Sequence, residues 1–281
     1  MVVQHNLQAM NSNRQLGITV GAQAKSTEKL SSGYKINRAA DDAAGLAISE
    51  KMRTQIRGLN RASTNAQDGI SVVQTAEGAL NEVHDMLHRM NELATQAAND
   101  TNTSIDRTQI SKEIDQLVSE IDRVASTTQF NTMNLLDGAF TKKNLQVGSL
   151  EGQKIEISIQ AMDAKGLGLS DKSAAQADGT HKLSVSSFAK AGASMTLIQK
   201  GIDILSTQRA ALGAVQNRLE HTIKNLDTTA ENTQAAESRI RDTDMAKEMV
   251  QYSKNQILSQ AGQSMLAQAN QSTQGVLSLL Q

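Results

Sequence analysis

Two histidines one helical turn apart, His84 and His88, with Glu92 a turn further on, are the side chains of this sequence best able to bind a metal ion. Nothing around them completes a zinc motif of the H-E-x-x-H kind, and they flank the apolar positions Val83 and Leu87. The spacing therefore predicts a pair beside a helix seam and no stoichiometric metal. His5, His181 and His221 are isolated. Ser26-Thr27-Glu28-Lys29 has the S-x-x-K spacing of a serine nucleophile with a lysine base, but the partner motifs S-D-N and K-T-G are missing. Gly17 and Gly21 form a G-x-x-x-G outside any long apolar run, which reads as close helix packing. Asn99, Asn102 and Asn270 open N-x-S/T sequons. With no Gly-rich phosphate loop and no paired-carboxylate site, no catalytic, cofactor or metal residue is assigned. The chain is read as a non-enzyme.

Composition points the same way. The 281 residues include no Pro, no Cys and no Trp, two Tyr and three Phe. Average usage would give about 14 Pro. Without Cys there is no disulfide framework, no Cys-bound zinc or iron–sulfur site and no cysteine nucleophile. Five aromatics are too few for a base-stacking surface, and a net charge of −1 implies neither a nucleic acid partner nor an anionic membrane. The first residues lack the basic start and apolar run of a cleaved signal peptide, so export would need a route without one. No run of 18 apolar residues predicts a transmembrane helix. Charge is unevenly spread. Residues 1–61 carry nine Lys/Arg against four Asp/Glu, and residues 68–137 carry four against twelve. Opposite signs on separated segments favour staggered association, which continues into a filament when it does not close.

Periodicity supplies the elements. From Gly45, the positions Ile48, Met52, Gln55, Leu59, Ala62, Ala66, Gly69, Val73, Ala76, Leu80, Val83, Leu87, Met90, Ala94 and Ala97 keep 3,4 spacing. A helix over those 53 residues would be about 80 Å long, far beyond the globular average. Asp41 and Asp42 are N-cap candidates, and residues 99–102 a stop. A second helix opens at Thr103 with a capping pair to Asp106 and carries Ile110, Ile114, Leu117, Ile121, Val124 and Thr128. The short connection makes it an antiparallel neighbour of the first. A third runs from Ile198 to Ile240. Between them, Leu145, Val147, Ile155, Ile157 and Ile159 alternate as a hairpin, and residues 161–190 read as surface loop. The predicted fold is mainly α: a long antiparallel helical bundle or coiled coil with a small β-hairpin region, plus a terminal two-helix coiled coil. The terminal pair is drawn at residues 1–40 and 241–281. The bundle takes 41–240, with hairpin and short loop at about 130–190. Leu7, Met10, Leu16, Val20 and, at the far end, Leu258, Met265, Val276 and Leu279 form apolar stripes left over once the bundle is built. They are expected to pack against each other or against other copies.

Three stretches make the chain resemble bacterial flagellin over almost its whole length. They are Leu30-Ser31-Ser32-Gly33-Tyr34-Lys35-Ile36-Asn37-Arg38-Ala39-Ala40-Asp41-Asp42-Ala43-Ala44-Gly45-Leu46-Ala47-Ile48-Ser49, then Gln129-Phe130-Asn131 through Asp137-Gly138, and Ala235-Ala236-Glu237-Ser238-Arg239-Ile240-Arg241-Asp242-Thr243-Asp244-Met245-Ala246, continued through 258–270. The resemblance implies a self-assembling subunit of the extracellular motility filament, in a short form lacking outer domains. Its terminal helices would form the filament's inner core. It also implies export through the flagellar type III apparatus without signal cleavage, with an export chaperone and a filament cap as partners. A host Toll-like receptor for flagellin would bind the bundle surface, and by position Arg89, Leu93 and Glu113 would be its contacts. Asn91 and Thr273 depart from residues common in the family, Arg and Pro respectively. The alternatives weighed are a hook–filament junction protein of the same fold family and a secreted receptor-binding or adhesion protein.

Overall fold

The computed structural model describes residues 6–170 and 183–278, with side chains through residue 271. Among the described residues, five helices and four short strands follow in the order α1 (Leu7–Ser32), α2 (Ala43–Ala97), α3 (Ser104–Thr127), β1 (Gln129–Phe130), β2 (Met133–Asn134), β3 (Lys143–Gln146), β4 (Lys154–Ile157), α4 (Phe188–Arg241) and α5 (Met245–Ser278). Two compact units emerge, Arg57–Ala230 and the pairing of Met1–Ile56 with Glu231–Gln281. None of the helices, among the described residues, is long and apolar enough to cross a membrane.

In the Arg57–Ala230 unit the core is the seam of α2, α3 and α4. Val73, Ala76, Leu80, Val83, Leu87, Met90, Ala94 and Ala97 of α2 are buried, as the 3,4 spacing predicts. Ile110, Ile114, Val118, Ile121 and Ala125 face them from α3, and Ile198, Leu205, Leu212 and Leu219 from α4. Leu117 and Val124 are only half-buried, so the α3 stripe is broader than a strict heptad. At the start of α3, Thr103 and Asp106 close a capping box: the Asp106 carboxylate accepts the Thr103 N–H at 2.9 Å, and the Thr103 hydroxyl accepts the Asp106 N–H at 3.3 Å. Arg107 returns to α2, donating to the Ala97 carbonyl at 3.0 Å, which satisfies an orphan acceptor at that helix end. The pairs Arg89–Glu113 and Ala97–Arg107 run in opposite directions along the two helices, which makes them antiparallel. Ser63–Asp227 and Glu77–Arg209 show the same for α2 and α4.

The small residues of the α2 seam admit a hairpin as well as a helix. β3 and β4 pair antiparallel with Leu145 opposite Ile155. A Cβ on Gly69 would lie 2.2 Å from Leu145 Cδ1, and one on Gly58 2.7 Å from Ser149 Cβ. Asn65 Nδ2 donates to the Gln146 carbonyl at 3.1 Å, tying the strand to the helix. The segment after the hairpin corrects the surface-loop expectation for 161–190. Met162, Ala164, Leu167 and Leu169 are buried in the core, as are Leu183 and Val185. The backbone can approach because Gly201 of α4 leaves Leu167 O at 3.4 Å from where a Cβ would stand, and because Asp122 accepts the Ala164 N–H at 2.8 Å. Residues 171–182, including His181, lie outside the described residues.

The other unit holds α1 and α5, and its boundaries differ from residues 40 and 241. The first turns of α2 and the last turns of α4 belong with α1 and α5, because they are tied to the joints between helices. Gly33 ends α1 in a left-handed conformation (φ 75°), with its N–H on Lys29 O at 2.8 Å. Lys35 N–H donates to Arg241 O at 2.7 Å and Thr243 N–H to Gly33 O at 2.9 Å, joining the two turns. Arg241 pairs with Glu50 and stacks over the Tyr34 ring, 4.8 Å from its centroid. Asp42 caps α2 by accepting the Gly45 N–H at 2.9 Å, and a Cβ on Gly45 would collide with Asp42 and the buried Ile36. Here the seam leaves the predicted register. Gly45 and Ser49 are buried while Ile48 and Gln55 are exposed, so the inward positions run 45, 49, 52, 56, 59, 62. Two consecutive steps of three, at Leu59 and Ala62, shift the heptad phase where one unit gives way to the other.

Candidate functional site

α1 and α5 pack as an antiparallel pair, shown by Asn6 Nδ2 donating to Ala269 O (2.9 Å), Leu16 against Gly262, and Lys29 facing Glu248 (3.8 Å). Asn6 also caps α1, its side-chain oxygen accepting the Ala9 N–H at 3.0 Å. The covered positions of α5 keep heptad spacing, at Glu248, Tyr252, Asn255, Ser259, Gly262, Leu266 and Ala269. Those of α1 include Ala9, Ser12, Leu16, Thr19, Ser26 and Leu30. Small and polar residues thus dominate the seam. Asn255 is only 4% exposed, and its Nδ2 has no partner.

The large apolar side chains point the other way. Val250 is 71% exposed, Leu7 68% and Ile257 66%, and Met10, Ile18, Val20, Met245, Met249, Leu258 and Met265 are exposed as well. Met249, Val250, Ile257 and Leu258 line a shallow apolar hollow of about 480 Å³ on α5, with Ser253 and Lys254. This is a coiled coil turned inside out: what normally holds two helices together is presented to solvent. Covering these ten exposed side chains would release roughly 10–20 kcal/mol gross, the same order as the cost of association.

Of the residues named from the sequence for this surface, Leu7, Met10, Val20, Leu258 and Met265 lie on the exposed side, and Leu16 is half-buried in the seam. Leu279 lies outside the described residues, and Val276 is described only by its place in α5, which runs through position 273 without a break. Ile18, Met245, Met249, Val250 and Ile257 escape the sequence reading. Their signal is the second apolar stripe, which a search for one seam per helix merges with the first.

The second candidate patch lies in the other unit. Arg89 donates to Glu113 Oε1 from Nε at 3.1 Å and from Nη2 at 2.9 Å, and reaches Glu92 at 3.3 Å. The Glu113 hydrogen bonds, then its charge, raise the Arg89 pKa further above its usual value. Arg89 and Glu113 are brought together as the sequence suggests. Leu93 is not part of that surface: at 3% exposure it belongs to the core. The histidine pair sits on the same helix, with Nε2 atoms 2.9 Å apart. Among the described residues no group of three or more His, Cys, Asp or Glu is placed to hold a metal.

The geometry meets known proteins at this point. The family model for the bacterial flagellin N-terminal helical region matches residues 3–141, and that for the bacterial flagellin C-terminal helical region matches 195–280. Over 280 residues the chain is 52% identical to a flagellin of Halalkalibacterium halodurans, covering 100% of both. It is also 52% identical to the flagellar filament 31.3 kDa core protein of Treponema maltophilum over 292 residues, again covering 100% of both. Among solved structures, a putative flagellar hook-associated protein from Vibrio parahaemolyticus aligns with a TM-score of 0.59 at 13% identity. That match covers 72% of this chain and 100% of that one, and shows a shared fold.

Proposed function

The chain belongs to the bacterial flagellin family, and from that premise we propose that it polymerises into the flagellar filament through the outward apolar faces of α1 and α5. The family is one of structural filament proteins, in a short form here. The observation that carries the mechanism is the inverted coil, with small and polar residues between the helices and Leu7, Val250 and Ile257 outside. A two-helix pair with so little apolar seam gains little by folding alone. Neighbouring subunits would supply the missing burial, so ordering of the terminal helices and assembly are one event. The opposite charges of residues 1–61 and 68–137 suit a staggered contact between copies.

The reading extends to the filament's surroundings. Export through the flagellar type III apparatus, aided by a chaperone and ending under the filament cap, would deliver the chain to an extracellular filament. A chain free of Cys and Pro travels unfolded without cross-linking and without slow prolyl steps. The exposed Arg89–Glu113 pair is the surface offered to a host Toll-like receptor for flagellin, with Leu93 supporting it from the core. Electron microscopy of full-length protein and of a chain ending at residue 244 tests the mechanism. Full-length protein should form filaments, and the truncated chain should stay soluble with α2, α3 and α4 helical. Normal filaments from the truncated chain would refute the role given to α5.

A further inference from the structure

His84 and His88 project from consecutive turns of α2, half-buried and exposed respectively. Their rings meet edge to face, with centroids 4.3 Å apart, an interplanar angle of 88° and Nε2 atoms 2.9 Å apart. The spacing in sequence, without a zinc motif around it, predicts a seam-flanking pair and no stoichiometric metal. The geometry adds what the spacing lacks: the two Nε2 atoms hydrogen-bond at 2.9 Å, and an ion bound by both would displace the proton they share. Two metal–nitrogen bonds of about 2.0–2.1 Å meeting at about 90° span roughly 2.9 Å, whereas a tetrahedral angle would need roughly 3.3–3.4 Å. A right-angled bite belongs to the tetragonal coordination of copper(II) and nickel(II), and copper(II) also stands highest in intrinsic affinity for imidazole.

We propose that His84 and His88 chelate one divalent copper or nickel ion through their Nε2 atoms, with water in the remaining coordination positions. His84 Nδ1 is buried without a partner, which leaves Nε2 as the nitrogen that an ion can reach. Burial, followed by the positive fields of His88 and Arg209 and opposed by Asp85, lowers the His84 pKa. Arg209, the nearby cation, faces the Glu77 carboxylate at 3.8 Å. No third side-chain ligand is placed to join among the described residues, so the ion would be held reversibly and remain exchangeable. An ion bound across one turn of α2 stabilises that turn, since the unfolded chain offers no preformed pair.

Copper(II) titration of the full-length monomeric chain, followed by electron paramagnetic resonance, tests the site. The expected result is one ion per chain held in preference to zinc, with a signal split by two imidazole nitrogens. Affinity should fall roughly a hundredfold or more in H88Q and in H84Q, the loss expected when a second tethered ligand is removed. His88 is exposed, so H88Q should keep the helical circular dichroism of the parent chain. H5Q and H221Q should retain the two-nitrogen signal. Three results would overturn the proposal: a two-nitrogen signal that survives H88Q, copper bound no more tightly by the parent than by H88Q, or zinc preferred to copper.

Discussion

The two units use the same heptad grammar with opposite outcomes. In the Arg57–Ala230 unit, Leu80, Leu87, Met90, Ile114, Ile121 and Leu205 turn inward and are covered within the chain. In the α1–α5 pair, Asn255, Ser259 and Ser26 turn inward, and Val250, Ile257 and Leu7 turn outward. The first arrangement buries its apolar stripe within the chain. The second leaves its apolar surface for something else to cover. The difference teaches that a helical stripe states which residues share a face, while its partner decides whether that face is a core or an interface.

Truncating one side chain in each unit should have unequal consequences for the monomer. Leu87→Ala should cost about 2–5 kcal/mol in denaturant unfolding of the monomer, since Leu87 is fully buried. Ile257→Ala should change the same measurement by less than about 0.5 kcal/mol. Next in size is Gly69→Ala, which drives a Cβ into Leu145 and should cost about 1–3 kcal/mol. Combining it with Leu145→Ala should recover part of that loss, because the two residues share one contact.

Smaller still, and opposite in sign, is Asn255→Leu. It removes an unpartnered buried amide and should slow hydrogen exchange along α5 by roughly 1 kcal/mol of opening free energy. The same change should loosen the register that a buried polar residue fixes. The smallest expected effect is electrostatic. The Arg241 hydrogen bond is the largest of the influences that lower the Glu50 pKa from its ordinary 4.5. A depressed carboxylate contributes stability above its unfolded pKa and loses it as pH falls through the folded value. Helicity of the α1–α5 unit should therefore weaken below about pH 4.5, and Glu50→Gln should remove that part of the pH dependence.

The bundle was readable from residues alone because Leu59 to Ala97 hold a single 3,4 register and every position in it finds a helix or strand partner. The register before Leu59 was not. Ile48 looks like a seam residue by type, yet Gly45 and Ser49 are buried, and at Gly45 a Cβ would collide with Ile36 and Asp42. The burial of Met162, Leu167 and Leu169 was hidden by the Gly, Ser and Asp around them, which mimic a solvated loop. The apolar stripes of α1 and α5 were visible as stripes, but hydrophobicity carries no label for direction. The resemblance names Arg89, Leu93 and Glu113 together, but Leu93 is a core residue whose neighbours carry the surface charge.

α1 and α5 expose large apolar residues, and the proposed assembly gives those residues to other copies of the chain. The critical concentration for filament formation of a Val250→Ser, Ile257→Ser double variant, set against the parent chain, tests it most directly. The expected result is a rise of about tenfold or more, with unchanged monomer helicity. An unchanged critical concentration, or a monomer whose α1–α5 unit unfolds, would contradict it.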